Sequence, residues 1–173
     1  TSPAPLIDLP VSKWDKLLNV NTRATLLLAQ AAYPALKESK GALVAVASMS
    51  GMGAHPGMGA YSPSKAALIS LCQVLAQEWA CDGINVNTVS PGMVRTPLTQ
   101  KVYENNQIAK ERAALVPWGR VGNPEDISNT ISFLLSPEAS YITGQNILVD
   151  GGFVDSLYRH IPGLPDSSKI DKN

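Results

Sequence analysis

Tyr61 and Lys65 stand four residues apart in the stretch Gly59-Ala60-Tyr61-Ser62-Pro63-Ser64-Lys65, at the mouth of a strongly helical run. That spacing puts both side chains on one helix face. A phenol beside an ammonium is a way to make a proton donor usable near neutral pH. An isolated tyrosine titrates near ~10, and a neighbouring cation favours the phenolate and pulls that value down. Ser48 precedes Tyr61 by 13 positions, at the end of the apolar run Ala42-Leu43-Val44-Ala45-Val46-Ala47, and Asn21 lies 27 positions further upstream. A Tyr-x-x-x-Lys pair alone occurs on many solvated helices; the serine and the asparagine at these spacings turn the pair into a constellation.

The elements that must position these residues follow from periodicity. Ser12 reads as an N-cap, with Asp15 three residues on and Trp14, Leu17 and Leu18 opening an apolar face, so a helix is expected from about 12 to 36. Asn21 falls on the face of Leu17, Ala24 and Leu28, where a polar residue is unexpected; one reading is a buried amide satisfying a backbone group. Gly41 is expected to end that helix region. Residues 42–47 are apolar throughout, as a parallel strand covered on both faces would be. Ser48 then lies at a carboxyl strand end, where open α/β sheets place their chemistry, although a plain turn serine fits the same position. Gly51, Gly53, Gly57 and Gly59 make the next loop pliable, and His55 reads as loop or pocket wall rather than as a base. A helix from about Ser62 to Ala80 follows, with Pro63 in its first turn. Leu68, Leu71, Cys72, Leu75 and Trp79 make one stripe and Ala66, Ile69, Ala76 and Ala80 another, so the helix should be buried on both sides. Gly83 ends it, and strands are expected near 84–90 and 145–149. Asn123-Pro124-Glu125-Asp126 has the residues of a helix start, with Ile127, Ile131, Leu134 and Leu135 facing the core.

Taken in order, Asn21, Ser48, Tyr61, Lys65, Asn87-Thr88-Val89-Ser90-Pro91-Gly92, Val94-Arg95-Thr96, Gly119-Arg120, Pro124-Glu125-Asp126 and Thr143-Gly144 leading to Val149-Asp150-Gly151-Gly152 resemble the short-chain dehydrogenase/reductase family over roughly residues 6 to 152. The resemblance implies an α/β fold: the carboxyl-terminal part of a Rossmann-type doubly wound parallel sheet in three α/β/α layers. It divides the chain into a partial catalytic domain, 1–152, and an extension, 153–173. It implies NAD(P)-dependent hydride transfer between a secondary alcohol and a ketone, of 3-oxoacyl or sugar/polyol type, with NAD against NADP left open. In those terms Tyr61 passes the proton to or from the substrate oxygen, and Lys65 lowers the Tyr61 pKa and holds the nicotinamide ribose. Ser48 donates to the substrate oxygen, and Asn21 anchors a relay water. The Pro91-Gly92 turn with Val94 and Thr96 meets the nicotinamide, backbone groups of Val94 and the Thr96 hydroxyl holding the carboxamide; Thr96-Pro97 also reads as a helix cap. Polar residues 98–117 correspond to the family's substrate lid. Relatives pair the 12–36 and 62–80 helices across subunits, implying a homo-oligomer, a dimer or tetramer.

The family's Gly-rich cofactor turn has no counterpart here, because the Gly51–Gly59 cluster follows Ser48 instead of opening the domain. The 173 residues are therefore expected to be a portion of a longer enzyme, with strand 42–47 pairing with a strand supplied by the remainder. Roughly 80–90 further residues, about three βα units, would complete the fold. A truncated, non-catalytic relative that binds or interacts through the retained packing surfaces is the other class of function considered.

Composition excludes other classes. The chain is 45% apolar with a formal net charge of zero and no Lys/Arg-rich run, so neither nucleic acid nor a membrane surface is expected as partner. No apolar run reaches the ~18 residues of a membrane span, and no metal-ligand spacing is present. Cys72 and Cys81 are nine residues apart on one expected helix, about 13 Å along its axis, beyond the ~7 Å that a disulfide spans. Both read as reduced packing residues of a cytoplasmic protein.

Overall fold

The computed structural model describes residues 3–163. Three parallel strands, β1 (Ala42–Val46), β2 (Asn85–Pro91) and β3 (Asn146–Val149), form one sheet in the order β1-β2-β3. The register pairs Val46 with Val89 and Pro91 with Val149. β2 and β3 therefore end level, two residues beyond the end of β1, and Ser48, Pro91-Gly92 and Asp150 emerge along one edge.

Helices cover both faces. α1 (Val11–Leu18), a π-helical turn (Asn19–Arg23) and α2 (Ala24–Ser39) run as one continuous rod, which lies beside α3 (Tyr61–Trp79). α4 (Gln100–Tyr103) and α5 (Asn106–Leu115) fill the connection to α6 (Pro124–Leu134). Side chains alternate across each strand, so Ala45, Ala47, Ile84 and Val86 pack with Ala29, Leu68, Cys72, Leu75 and Trp79 on one face. Val44, Val89, Ile147 and Val149 meet Ile127, Ile131 and Leu134 on the other. This is the expected three-layer α/β arrangement, and among the described residues β1 is an edge strand.

Several boundaries differ from expectation. Ser12 lies inside the first helical turn and Pro10 is the N-cap, because the fixed φ of proline already sets the entry. Lys40 takes the left-handed conformation that ends α2 (φ 50°), leaving Gly41 to donate its N–H to Leu36 O at 2.9 Å. The π turn inserts a residue into the helix and shifts the phase of everything after it. Leu28, expected beside Asn21 on a buried face, is accordingly 71% exposed. Cys81 is exposed in the turn after α3, not packed, while Cys72 is buried and its thiol is pushed up to about 11 by that burial. Leu135 is half exposed beyond the end of α6. Ala76, on the second apolar stripe of a helix expected to be buried on both sides, is fully buried against this chain's own core.

Candidate active site

Ser48 follows β1 in an extended conformation, and its Oγ accepts the Ser50 N–H at 3.1 Å. That bond caps the short 3₁₀ turn Met49–Gly51 and so realises the turn-serine reading. It consumes a lone pair only, and the Ser48 O–H remains a donor. Gly51 lets this turn lie flat on α3: a Cβ there would stand 2.9 Å from the Lys65 carbonyl carbon and from Ile69 Cδ1. Any side chain would push Ser48 away from the start of α3.

Tyr61 opens α3, and Lys65 follows one turn later with Nζ 6.0 Å from the centre of the Tyr61 ring. The ammonium donates to Val46 O, the last residue of β1, at 2.9 Å. A single lysine thus ties the helix to the strand end that carries Ser48. Burial pushes the Lys65 ammonium below its ordinary value, and among the described residues no carboxylate pairs with it.

Asn21 is placed one step away from this group. Its Nδ2 donates to Ser64 Oγ at 2.9 Å, Ser64 Oγ donates to the Tyr61 carbonyl at 2.7 Å, and Thr22 Oγ1 donates to the Ser64 carbonyl at 2.9 Å. The amide therefore satisfies a buried hydroxyl, where a backbone partner was expected, and it steadies the first turn of α3. It sits within the π turn, a distortion that favours functional sites. Ser64 was missed from the sequence; its i, i+4, i+8 spacing with the buried Leu68 and Cys72 was the available signal.

A second group forms at the end of β2. Gly92 donates to Val149 O at 2.9 Å and approaches Asp150 so closely that a Cβ would lie 2.5 Å from the Asp150 Cβ. The Asp150 carboxylate takes the N–H groups of Gly152 and Val154 at 2.8 and 2.7 Å, folding the Asp-Gly-Gly turn beneath that contact. Val94 bridges to Gly122, with Arg95 N–H donating to Gly122 O and Gly122 N–H donating to Met93 O, both at 2.9 Å. Thr96 is not a helix cap; Thr99 occupies the cap position of α4, and its hydroxyl turns back onto Val94 and Thr96. Among the described residues the Val94 N–H has no protein acceptor, and the Thr96 hydroxyl meets only Thr99. An N–H donor and, two residues on, a hydroxyl oxygen that keeps accepting capacity beside Thr99 match the acceptor and donor of a carboxamide, so these residues fit the nicotinamide end of a dinucleotide.

The expected polar lid is two short helices with a buried pin. Tyr103 is 4% exposed, with the guanidiniums of Arg95 and Arg112 5.3 and 5.6 Å from its ring centre. Asn105 Oδ1 caps α5 by accepting from Gln107 and Ile108 N–H at 3.0 and 3.1 Å. On the flank of α3 away from α2, a cleft of about 380 Å³ is lined by Leu6, Ser50, Met52, His55, Ser62 and Ala66 among others. His55 Nδ1 lies 3.3 Å from Ser50 Oγ, so His55 is part of the cleft wall. Among the described residues no His, Cys, Asp or Glu cluster could hold a metal, and no helix is long and apolar enough to cross a membrane.

Comparison with known proteins bears on this arrangement. The profile of the family described as enoyl-(acyl carrier protein) reductase matches residues 1–154. The chain is 38% identical over 153 residues to dehydrogenase/reductase SDR family member 4 of Bos taurus, covering 88% of this chain and 55% of that protein. It is 39% identical over 156 residues to 3-oxoacyl-(acyl-carrier-protein) reductase FabG of Thermotoga maritima, covering 89% and 62%. It therefore spans only part of the length of these curated relatives. Among solved structures, a 4-hydroxyisoleucine dehydrogenase complexed with NADH superposes with a TM-score of 0.82 at 35% identity, over 88% of this chain and 63% of that one. A putative 2-deoxy-d-gluconate 3-dehydrogenase from Agrobacterium tumefaciens with bound NADP gives 0.83 at 31% identity, over 89% and 63%.

Proposed function

The chain belongs to the short-chain dehydrogenase/reductase family, and from that premise we propose that it supplies the catalytic half of an oxidoreductase interconverting a secondary alcohol and a ketone. The observation that carries this reading is the Lys65–Val46 bond, which locks Tyr61 and Lys65 against the strand end bearing Ser48. A nicotinamide dinucleotide, NAD or NADP, supplies the hydride acceptor or donor when bound. The relatives found with NADH and with NADP support the nicotinamide without choosing between the two forms.

In the oxidative direction Ser48 O–H donates to the substrate oxygen and holds it beside Tyr61. Tyr61 takes the hydroxyl proton as the hydride leaves the carbinol carbon, so the products are a ketone and a protonated phenol. In reduction the same proton returns to the oxygen. Lys65 places a positive charge beside the ring and keeps two N–H donors for the nicotinamide ribose. Asn21 acts through Ser64 on the first turn of α3, from where it can hold a relay water. Val94 N–H and Thr96 Oγ1 hold the carboxamide, with Pro91 and Gly92 setting the turn. The substrate is of the 3-oxoacyl or sugar/polyol class; the extension 153–173 is assigned no chemistry, and its residues 164–173 lie outside the described residues. Exposed Val20, Leu27, Leu28 and Val74 on the α2–α3 side support a homo-oligomer, dimer or tetramer.

The test is the absorbance of NAD(P)H, followed with the full-length protein and a panel of alcohols and ketones. Turnover of at least one pair, lost in Tyr61→Phe, is the expected result. Absence of turnover across a panel spanning both substrate classes, with dinucleotide binding intact, would overturn the catalytic reading. A monomer by light scattering, unchanged by Leu28→Glu, would overturn the oligomer.

A further inference from the structure

We propose that Thr99 is a positioning residue that fixes which way the Thr96 hydroxyl points, and so makes the Val94–Thr96 loop selective for a carboxamide that carries an N–H group; this rests on the nicotinamide reading of that loop. Thr99 Oγ1 lies 2.9 Å from the Val94 carbonyl oxygen, 2.9 Å from Thr96 N, 3.2 Å from the Thr96 carbonyl oxygen and 3.2 Å from Thr96 Oγ1. A hydroxyl has one proton and two lone pairs. Carbonyl oxygens only accept, so the Thr99 proton goes to them, chiefly to the nearer Val94 oxygen. The Thr96 N–H only donates, so it occupies one Thr99 lone pair. What remains toward Thr96 Oγ1 is a lone pair, and the Thr96 hydroxyl must be the donor of that bond.

The consequence reaches the ligand. With its proton committed to Thr99, Thr96 Oγ1 presents lone pairs only and recognises an N–H donor. The Val94 carbonyl already accepts from Thr99, which takes one of its two lone pairs, and the Val94 N–H is the donor this residue offers. The loop is then an acceptor at Thr96 and a donor at Val94, which takes a primary amide in one orientation: NH₂ toward Thr96 and C=O toward Val94. Without the Thr99 hydroxyl, Thr96 could rotate to donate, and the free Val94 carbonyl would compete for the amide N–H.

The experiment compares two dinucleotides on the full-length protein, NAD(H) or NADP(H), whichever binds, and its 3-acetylpyridine analogue, in which a methyl group replaces the amide NH₂. Dissociation constants are read from quenching of tryptophan fluorescence, together with KM and kcat for each. Thr99→Val should weaken the natural dinucleotide by roughly five- to tenfold, the loss of one oriented hydrogen bond, and leave the analogue within about twofold. Thr99→Ser, which keeps the hydroxyl, should restore the difference. Equal weakening of both dinucleotides would mean that Thr99 only braces the loop, and no weakening of either would mean that it does nothing; each overturns the proposal. If the wild type still turns over the analogue in either case, the dehydrogenase reading stands without it. Failure of the wild type to bind either dinucleotide overturns both.

Discussion

Two lysines hold the helices flanking the site, one at each end of α3, and their surroundings are opposite. Lys37, on α2, closes onto Asp82 in the turn after α3 at 2.7 Å, and Tyr33 donates to the same carboxylate while its ring lies 4.9 Å from Trp79. Asp82 pushes the Lys37 ammonium above its ordinary value, chiefly through their hydrogen bond. Lys65, at the other end, has a carbonyl as its partner and is pushed down by burial. A lysine neutralised by a carboxylate fastens elements together. A lysine given only a carbonyl also ties its helix to the strand end, but it keeps its charge and two N–H donors, as the proposed role requires. The surrounding pins follow the same division: amide and hydroxyl bonds from Asn21 and Thr22 at the site end, a closed aromatic and ionic cluster at the far end.

The sharpest way to break this contrast is at the site end. Tyr61→Phe should lower turnover on the order of 10²–10⁴-fold while leaving the melting temperature unchanged, since only a hydroxyl is removed. A variant with half the wild-type rate would sink the assignment. At the far end, Trp79 is 8% exposed, and Trp79→Ala should cost about 3–5 kcal/mol of stability. Urea titration measures it; a cost below about 1 kcal/mol would mean that this end is not where α2 and α3 are fastened.

The two lysines can then be compared directly. Lys65→Met should reduce turnover on the order of 10²-fold and weaken dinucleotide binding, whereas Lys37→Met should change neither. Equal effects of the two on the dissociation constant would erase the distinction. The smallest effect is in pH. The Lys37 ammonium, and then the Tyr33 hydroxyl, hold the Asp82 carboxyl below its ordinary value of 3.8. A depressed carboxyl contributes stability that is present above that ordinary value and is lost as pH falls through the lower folded-state value. The difference in urea midpoint between wild type and Asp82→Asn should hold constant from pH 7 to about 5 and shrink below about pH 4; a difference that persists into stronger acid would contradict the pairing.

Local signals in the chain sufficed for much of this. An apolar run located β1, because a parallel strand covered by helices is commonly apolar on both faces, whereas β2 buries Asn87, Thr88 and Ser90 and was marked only by Ile84, Val86 and Val89. Asn123-Pro124-Glu125-Asp126 marked the start of α6 because helix ends impose fixed needs on neighbouring residues: Asp126 accepts the Asn123 N–H at 2.7 Å. Tyr61 and Lys65 were legible because four residues is one helical turn. Other features had no such local mark. The π turn at Asn19–Arg23 has no mark in the sequence, and the turning of Asn21 onto Ser64 needs α3 beside the rod, a pairing that no window of sequence contains. Tyr103 sits in a polar stretch that reads as loop, yet it is buried, with the Arg95 and Arg112 guanidiniums against its ring.

The sequence by itself determined the parallel α/β layering, the spacing of Ser48, Tyr61 and Lys65, and the helix starts that proline and capping residues enforce, since these depend on neighbours within a turn or along one strand. Only the tertiary structure decided which lysine would be free. Lys37 meets Asp82 across 45 residues, while Lys65 meets Val46 across 19. Charge pairing depends on distance in space, and the chain sets that distance only once the helices have settled on the sheet.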